Sequence, residues 1–287
     1  MHVSRTPLWR IIRERKILKA HKRIAGICQS LIDGYRGHPV HFDFEPMKPL
    51  DSRKIIWQYW AQGFDDVPPV VKQCLDSVEK YADDYTIVRL TDENLQDYLD
   101  LPDFVQQKRA LFSRAFFSDL LRLMLLKTYG GIWMDATILM TGPIPKAWEE
   151  SELFFCRRDP NEPDYRYWRN TYAYYFGWAK GFRVNMLSSF MMAKKGGRTI
   201  SELCDLMLLW WKEHSILPDY FFLQILIDVY HCPDEFPLVS DTLPHYLQQS
   251  LNDPGFHIIQ RELIPGLVPI HKMNYKVFSR QFYKEQL

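Results

Sequence analysis

An α/β fold, a sheet flanked by helices, is predicted by three features of the 287-residue chain. The first is alternation near the start. Residues 54–60 (KIIWQYW) read as a strand, 70–81 as a helix and 85–90 as a second strand. The second is a continuous unit from Phe112 to Gly142. Ser113 suits an N-cap, residues 114–128 form a helix, Gly130 ends it in the left-handed region, and Ile132, Trp133 and Met134 begin a strand that Ile138, Leu139 and Met140 resume. The third is later alternation. Residues 153–156 and 189–193 read as strands, and helices follow over 200–213, introduced by Gly196 and Gly197, and over 218–230.

Composition narrows the class. With 47% hydrophobic and 25% charged residues the chain is of the soluble globular kind, and a net charge of +1 argues against nucleic acid as a partner. Five scattered cysteines show no zinc spacing and read as reduced core residues of a cytoplasmic protein. No signal peptide is expected from the basic start, and the sequence shows no apolar run of membrane-spanning length, no P-loop, no G-x-G-x-x-G and no internal repeat.

Taken in order, the first fifty residues stand apart as a basic helical extension and linker (1–50), ahead of one domain over 51–287. Thr6 and Pro7 suit N-cap and first helical position, with a helix running to about Leu31. Residues 1–23 carry eight basic side chains against Glu14 alone, a net +7 that leaves −6 for the rest. Leu8, Trp9, Ile11, Ile12, Ile17 and Leu18 are interleaved with them. Such a helix suits either the surface of an anionic membrane or packing on the domain by its apolar side. Residues 34–51 read as a linker or docking loop.

Within the domain, Thr91 opens a further helix after the second strand. Residues 165–178 are dense in Tyr and Trp, suited to lining an acceptor cleft or to an irregular core. Asp219 stands at a helix start, where the dipole favours a carboxylate. Three ionisable residues sit in apolar surroundings: Asp119 and Arg122, three apart on one helix face, and Asp135 on the following strand. Taken alone they suit an ion pair and a strand end. Buried charges are nevertheless costly unless paired or functional.

The segments Ser118-Asp119-Leu120-Leu121-Arg122 and Tyr129-Gly130-Gly131-Ile132-Trp133-Met134-Asp135-Ala136-Thr137 together resemble the donor-site core of GT-A glycosyltransferases. They look most like the capsular-polysaccharide-synthesis transferases related to glycosyltransferase family 32. The resemblance is specific from about Arg53 to Pro145 and does not reach before residue 50. It implies a GT-A-like, nucleotide-sugar-binding mixed sheet and transfer of a hexose, with retention, from a UDP-linked donor to a capsule or lipopolysaccharide acceptor held in lipid-linked form. Asp119 and Arg122 would contact the nucleotide, Trp57 (with Tyr59 and Trp60 close by) would pack on its base, and Asp135 would sit beside the sugar or a metal. Asp219 would match an acidic position that faces the reaction centre. Val268 to Val277 (VPIHKMNYKV) resembles a carboxyl-terminal His-Lys segment, which makes His271 a metal ligand and Lys272 a partner of the leaving diphosphate.

Thr137 stands where the familiar Asp-x-Asp motif has its second carboxylate, so either His271 and water complete a weak manganese or magnesium site, which is the expectation, or Lys272 and arginine side chains take the metal's place. The implied partners are a nucleotide-sugar donor and a glycan acceptor, with peripheral contact at the cytoplasmic face of the inner membrane. The rival readings are a transferase that glycosylates proteins and a non-catalytic assembly subunit of the same fold.

Overall fold

A computed structural model describes residues 7–50, 54–231 and 237–275. Helix α1 (Pro7–Gly37) runs past its expected end because one apolar stripe continues: Ile17, Ile24, Cys28, Ile32 and Tyr35 recur at three-, four- and seven-residue intervals and are all buried. Strand β1 (Ile55–Tyr59), helix α2 (Pro69–Tyr81) and strand β2 (Thr86–Leu90) follow. The helix expected from Thr91 is one 3-10 turn at Leu95–Asp97. The Thr91 hydroxyl does accept from the Asn94 amide at 3.3 Å, but Pro102 bars a long continuation and the chain restarts as α3 (Asp103–Lys108).

The central unit forms as the sequence predicts up to Met134. Helix α4 (Arg114–Thr128) is capped by Ser113, whose hydroxyl accepts from the Phe116 amide at 3.2 Å, and leads into strand β3 (Gly131–Met134). Strand β4 (Ile138–Met140) does not resume β3. The Asp135 amide makes a last hydrogen bond to Ser189 at 2.9 Å, the chain then turns, and β4 leaves the sheet. Helix α5 (Lys146–Glu149), strand β5 (Leu153–Arg157), helix α6 (Tyr165–Thr171) and strand β6 (Met186–Ala193) come next. Helices α7 (Arg198–Glu213), α8 (Phe222–Tyr230) and α9 (Tyr246–Asn252) precede the last strand, β7 (Ile270–Lys272).

The main sheet has the order β2-β1-β3-β6-β5. Strands β2, β1 and β3 are parallel, and β6 and β5 extend the sheet antiparallel, so it is mixed. Helix α4 packs between this sheet and α7, which is why its leucines are buried on every side. A small second sheet pairs β4 with β7 antiparallel, Leu139 opposite His271.

The amino-terminal segments share this core. Helix α1 lies against α8 and α7. Residues 38–50 dock through Asp205 of α7, which is wholly buried and receives Lys127 at 2.7 Å, His41 at 3.0 Å, the Tyr35 hydroxyl at 3.1 Å and the Phe42 amide at 3.2 Å. Cys28, Cys74, Cys156 and Cys204 are buried free thiols, and Cys232 lies outside the described residues. No helix among the described residues is long and apolar enough to cross a membrane.

Two glycines decide how α4 hands over to β3. Gly130 has φ 75° and Gly131 φ 94°. A Cβ on Gly131 would stand 2.5 Å from the Ile55 carbonyl oxygen, and one on Gly130 2.6 Å from the Lys195 amide nitrogen. Both neighbours are backbone and cannot swing away. Gly131→Ala should therefore destabilise the fold by about 2–4 kcal/mol, from left-handed strain plus overpacking, read as a fall in the urea midpoint at unchanged slope.

Candidate functional site

The parallel strands β1 and β3 end side by side, and a cleft of about 680 Å³ opens at their carboxyl ends. Parallel-stranded sheets bind ligands in this position, and the volume suits a small organic molecule. The floor is a row of charges of alternating sign. Asp119 Oδ1 lies 2.7 Å from Arg122 Nη1, Arg122 Nη2 lies 3.6 Å from Asp135 Oδ1, and Asp135 Oδ2 accepts from Lys272 Nζ at 2.8 Å. Each member comes from a local rule. Asp119 and Arg122 share a face of α4, Asp135 is the first residue beyond β3, and Lys272 ends β7.

The row satisfies itself only in part. Asp135 Oδ1 also accepts from the Trp133 indole at 2.8 Å, and the Arg122 guanidinium lies over the Trp133 ring at 5.2 Å. Yet Arg122 Nε, the Ser189 hydroxyl and Gln224 Oε1 are buried without hydrogen-bond partners among the described residues, and all three side chains line the cleft. Unsatisfied buried polar atoms cost about 1–3 kcal/mol each, so three converging on one cleft point to a ligand that satisfies them.

The electrostatics separate the two carboxylates. Burial pushes Asp119 up to about 6; Arg122 pulls it down, and the negative Asp135 pushes it further up. Burial acts on Asp135 in the same direction, but Lys272 and Arg122, with hydrogen bonds from Lys272 and Trp133, outweigh it and hold Asp135 below its ordinary value. At neutral pH Asp135 is a fixed anion between two cations, and Asp119 is the more easily protonated of the pair.

The residues expected at the site divide. Asp119, Arg122, Asp135 and Lys272 meet as described. Trp57 does not join them. It is fully buried two residues short of the β1 end, its indole donates to the Gly130 carbonyl at 2.9 Å, and it packs on Tyr98 and Tyr129. At the strand's end Tyr59 lines the cleft, and Trp60, the first residue beyond β1, lies half-buried at the rim against Tyr275. His271 is also turned away. Successive strand residues face opposite sides, so Lys272 in the cleft places His271 in the interior. There its Nε2 meets the Thr141 hydroxyl at 3.0 Å, and burial lowers its value to about 4. Asp219 does not line the cleft; it accepts from the Phe221 amide at 2.9 Å as the turn before α8, and Tyr220, Phe221 and Gln224 line instead.

These positions bear on the manganese or magnesium ion expected at Asp135 and His271. Both Asp135 oxygens have donors, and the Lys272 ammonium lies 2.8 Å from Asp135 and 2.7 Å from the Thr137 hydroxyl. No group of three His, Cys, Asp or Glu side chains with metal-binding geometry occurs among the described residues. The donor set does not fit a divalent cation, because a cationic side chain stands between the oxygens that would bind it.

Sequence reasoning missed Ser188, Ser189 and Gln224. Each leaves a trace: two serines inside the otherwise apolar β6, and one glutamine within the apolar first turn of α8. The strand expected over 189–193 begins earlier, at Met186, and includes both serines. In the aromatic stretch both readings hold, since Tyr172 and Tyr175 line the cleft while Trp168 and Phe176 form a second core. This wall is held by Arg158, which forms a bidentate pair with the buried Asp241 at 2.9 Å and donates to the carbonyls of Tyr175, Gly177 and Val184.

Comparison with known proteins matches residues 9–287 to the family described as Capsular polysaccharide synthesis protein. The match includes α1 and so reaches beyond the motif resemblance. Over 180 residues the chain is 25% identical to O-glycosyltransferase PaGT of Phomopsis amygdali, covering 59% of this chain and 41% of that protein. It is 27% identical over 180 residues to O-glycosyltransferase braB of Annulohypoxylon truncatum, covering 57% and 39%. The chain thus spans about two fifths of the length of these curated relatives. The solved PaToxG Glycosyltransferase is 16% identical with a TM-score of 0.38, over 91% of this chain and 100% of that one.

Asp119 gives the site a pH signature. Its ordinary value is 3.8 and its value in the folded chain about 6. Between these the native state holds a proton that the unfolded chain has released, so the residue's contribution to stability falls as pH rises from about 4 to about 6. Asp119→Asn removes that slope. The stability of the variant relative to wild type should rise by an amount on the order of 2 kcal/mol across this window and level off above it, measured by urea titrations along a pH series.

Proposed function

The chain belongs to the capsular polysaccharide synthesis protein family, and on that premise we propose that it is a glycosyltransferase. It moves a hexosyl group from a nucleoside-diphosphate sugar, UDP-linked, to a hydroxyl of a surface-polysaccharide acceptor (capsule or lipopolysaccharide). The observation that carries this reading is the alternating row Asp119–Arg122–Asp135–Lys272 at the carboxyl ends of β1 and β3, with buried polar atoms still lacking partners.

In the reaction the bond between the anomeric carbon and a phosphate oxygen breaks, and the acceptor oxygen bonds to that carbon. Negative charge grows on the diphosphate. In this reading the Lys272 ammonium and the Arg122 guanidinium stabilise it, in place of the divalent cation that the resemblance implied. Asp119 accepts from the ribose hydroxyls, the Trp60 ring stacks on the base, and Ser189 and Gln224 meet the sugar hydroxyls. Asp135 holds the two cations at their posts and faces the positive charge that develops on the sugar.

Retention is favoured by the distribution of bases. Asp119 and Asp135 are the only carboxylates lining the cleft among the described residues, and both belong to the donor row. The opposite wall offers Tyr172, Tyr175, Tyr220 and His245, and burial lowers His245 to about 4, too weak a base for an acceptor hydroxyl. The acceptor proton then passes to the departing phosphate oxygen on the same face. A second acceptor class, a hydroxyl outside any polysaccharide, is favoured by the names of the curated relatives, which speak of O-glycosylation alone.

The test is calorimetry with UDP and a panel of UDP-sugars, followed by transfer assays with radiolabelled sugar. One UDP-sugar should bind saturably in wild type and more weakly in Asp135→Ala. Lys272→Met should lower kcat/KM by about 10²–10³-fold, and a chelator should leave the wild-type rate unchanged. Loss of activity with chelator and recovery with manganese would return the metal to the site. No binding of any nucleotide sugar would end the transferase reading, and label on protein or a small molecule would select the second acceptor class.

A further inference from the structure

Helix α1 presents two faces of opposite character. One, carrying Ile17, Ile24, Cys28 and Ile32, is buried on the domain. The other looks outward. At 3.6 residues per turn, Leu8, Ile12, Arg15, Lys19 and Lys22 fall within about 40° of one line along the helix. All five are exposed. Three aliphatic side chains lead this face, with Leu8 67%, Ile11 48% and Ile12 37% exposed, and the cations follow over the next turns. The one acid among these turns, Glu14, points elsewhere and lies 3.8 Å from Arg169 of α6; no further acid occurs before Asp33.

We propose that this outward face is a docking surface for an anionic lipid bilayer. The aliphatic end enters the headgroup region while Arg15, Lys19 and Lys22 meet lipid phosphates. Charge complementarity carries the choice of a negative partner, and the exposed aliphatics carry the choice of lipid over nucleic acid, since phosphate contacts along a nucleic-acid backbone have no use for Leu8, Ile11 and Ile12.

The placement deepens the proposed function, on whose acceptor it rests. Helix α1 leans on the two segments that wall the cleft. Glu14 faces Arg169 just ahead of Tyr172 and Tyr175, the His21 ring accepts from the Arg183 amide at 3.0 Å, and Arg23 donates to the Pro218 carbonyl at 3.4 Å, two residues before Tyr220. A bilayer on the outer face of α1 therefore lies beside the cleft wall, where an acceptor anchored in lipid would be met.

Co-sedimentation of the full chain with vesicles tests this without turnover. Phosphatidylcholine vesicles containing phosphatidylglycerol should retain the protein, pure phosphatidylcholine vesicles should not, and salt of about 1 M, where charges are screened beyond roughly 3 Å, should release it. Lys19→Glu with Lys22→Glu should weaken partitioning about tenfold or more, and Ile11→Ser with Ile12→Ser should weaken it as well. Equal binding to both vesicle types, variants that bind like wild type, or binding to DNA or an acidic polypeptide in the absence of vesicle binding would each overturn the proposal. The lipid and salt dependence of the wild type decides the matter even if a variant fails to fold. Nucleotide-sugar binding is read separately by calorimetry, so the donor reading and the membrane reading can fail independently.

Discussion

The cleft depends on the alternation of charge along Asp119, Arg122, Asp135 and Lys272. Two carboxylates this close would repel in a buried setting, and two cations alone would be stranded there. Arranged in turn, each charge is desolvated only beside its opposite. Removing one member of a buried pair typically costs about 3–5 kcal/mol, because the survivor is left uncompensated. The row is therefore a structural constraint, and it keeps two cationic side chains at the floor of a cleft where a ligand can reach them.

Backbone decides where the row stands. The Gly130–Gly131 turn lets β3 start against Ile55 of β1, which sets the register that brings Asp135 to the sheet's carboxyl edge above Arg122. The turn at Asp135 then sends β4 away from the main sheet into a pairing with β7, and the Met273 amide donates to the Thr137 carbonyl at 2.9 Å. That second sheet carries Lys272 across more than a hundred residues of sequence to Asp135. The opposite wall is fixed by Arg158, whose bonds to Asp241 and three carbonyls hold an irregular aromatic segment in one shape.

Much of this was legible in the chain. Helix α4 was readable because its cap, its apolar faces and its terminal glycine are all local signals. Asp119, Arg122 and Asp135 were readable because charge in apolar surroundings is conspicuous. Gln224 and the Ser188-Ser189 pair gave the same kind of signal more faintly, since an uncharged polar residue is a common enough guest in a buried element. Trp57 and His271 were misplaced for different reasons. Trp57 lies too far from the carboxyl end of β1, while Tyr59 on the same strand face reaches the cleft. His271 is the strand neighbour of Lys272 and faces the other way, and composition alone does not say which of two adjacent side chains meets the ligand.

By itself the sequence determined the elements, the mixed α/β class and the charged residues that would have to find partners, because periodicity, capping and the cost of buried charge act within a few residues. The tertiary structure decided which partners they found. That Lys272 reaches Asp135 and Thr137 depends on a pairing between β4 and β7, and that α1 packs by one face depends on α7 and α8. These are contacts between segments distant in the chain, and no local preference encodes them.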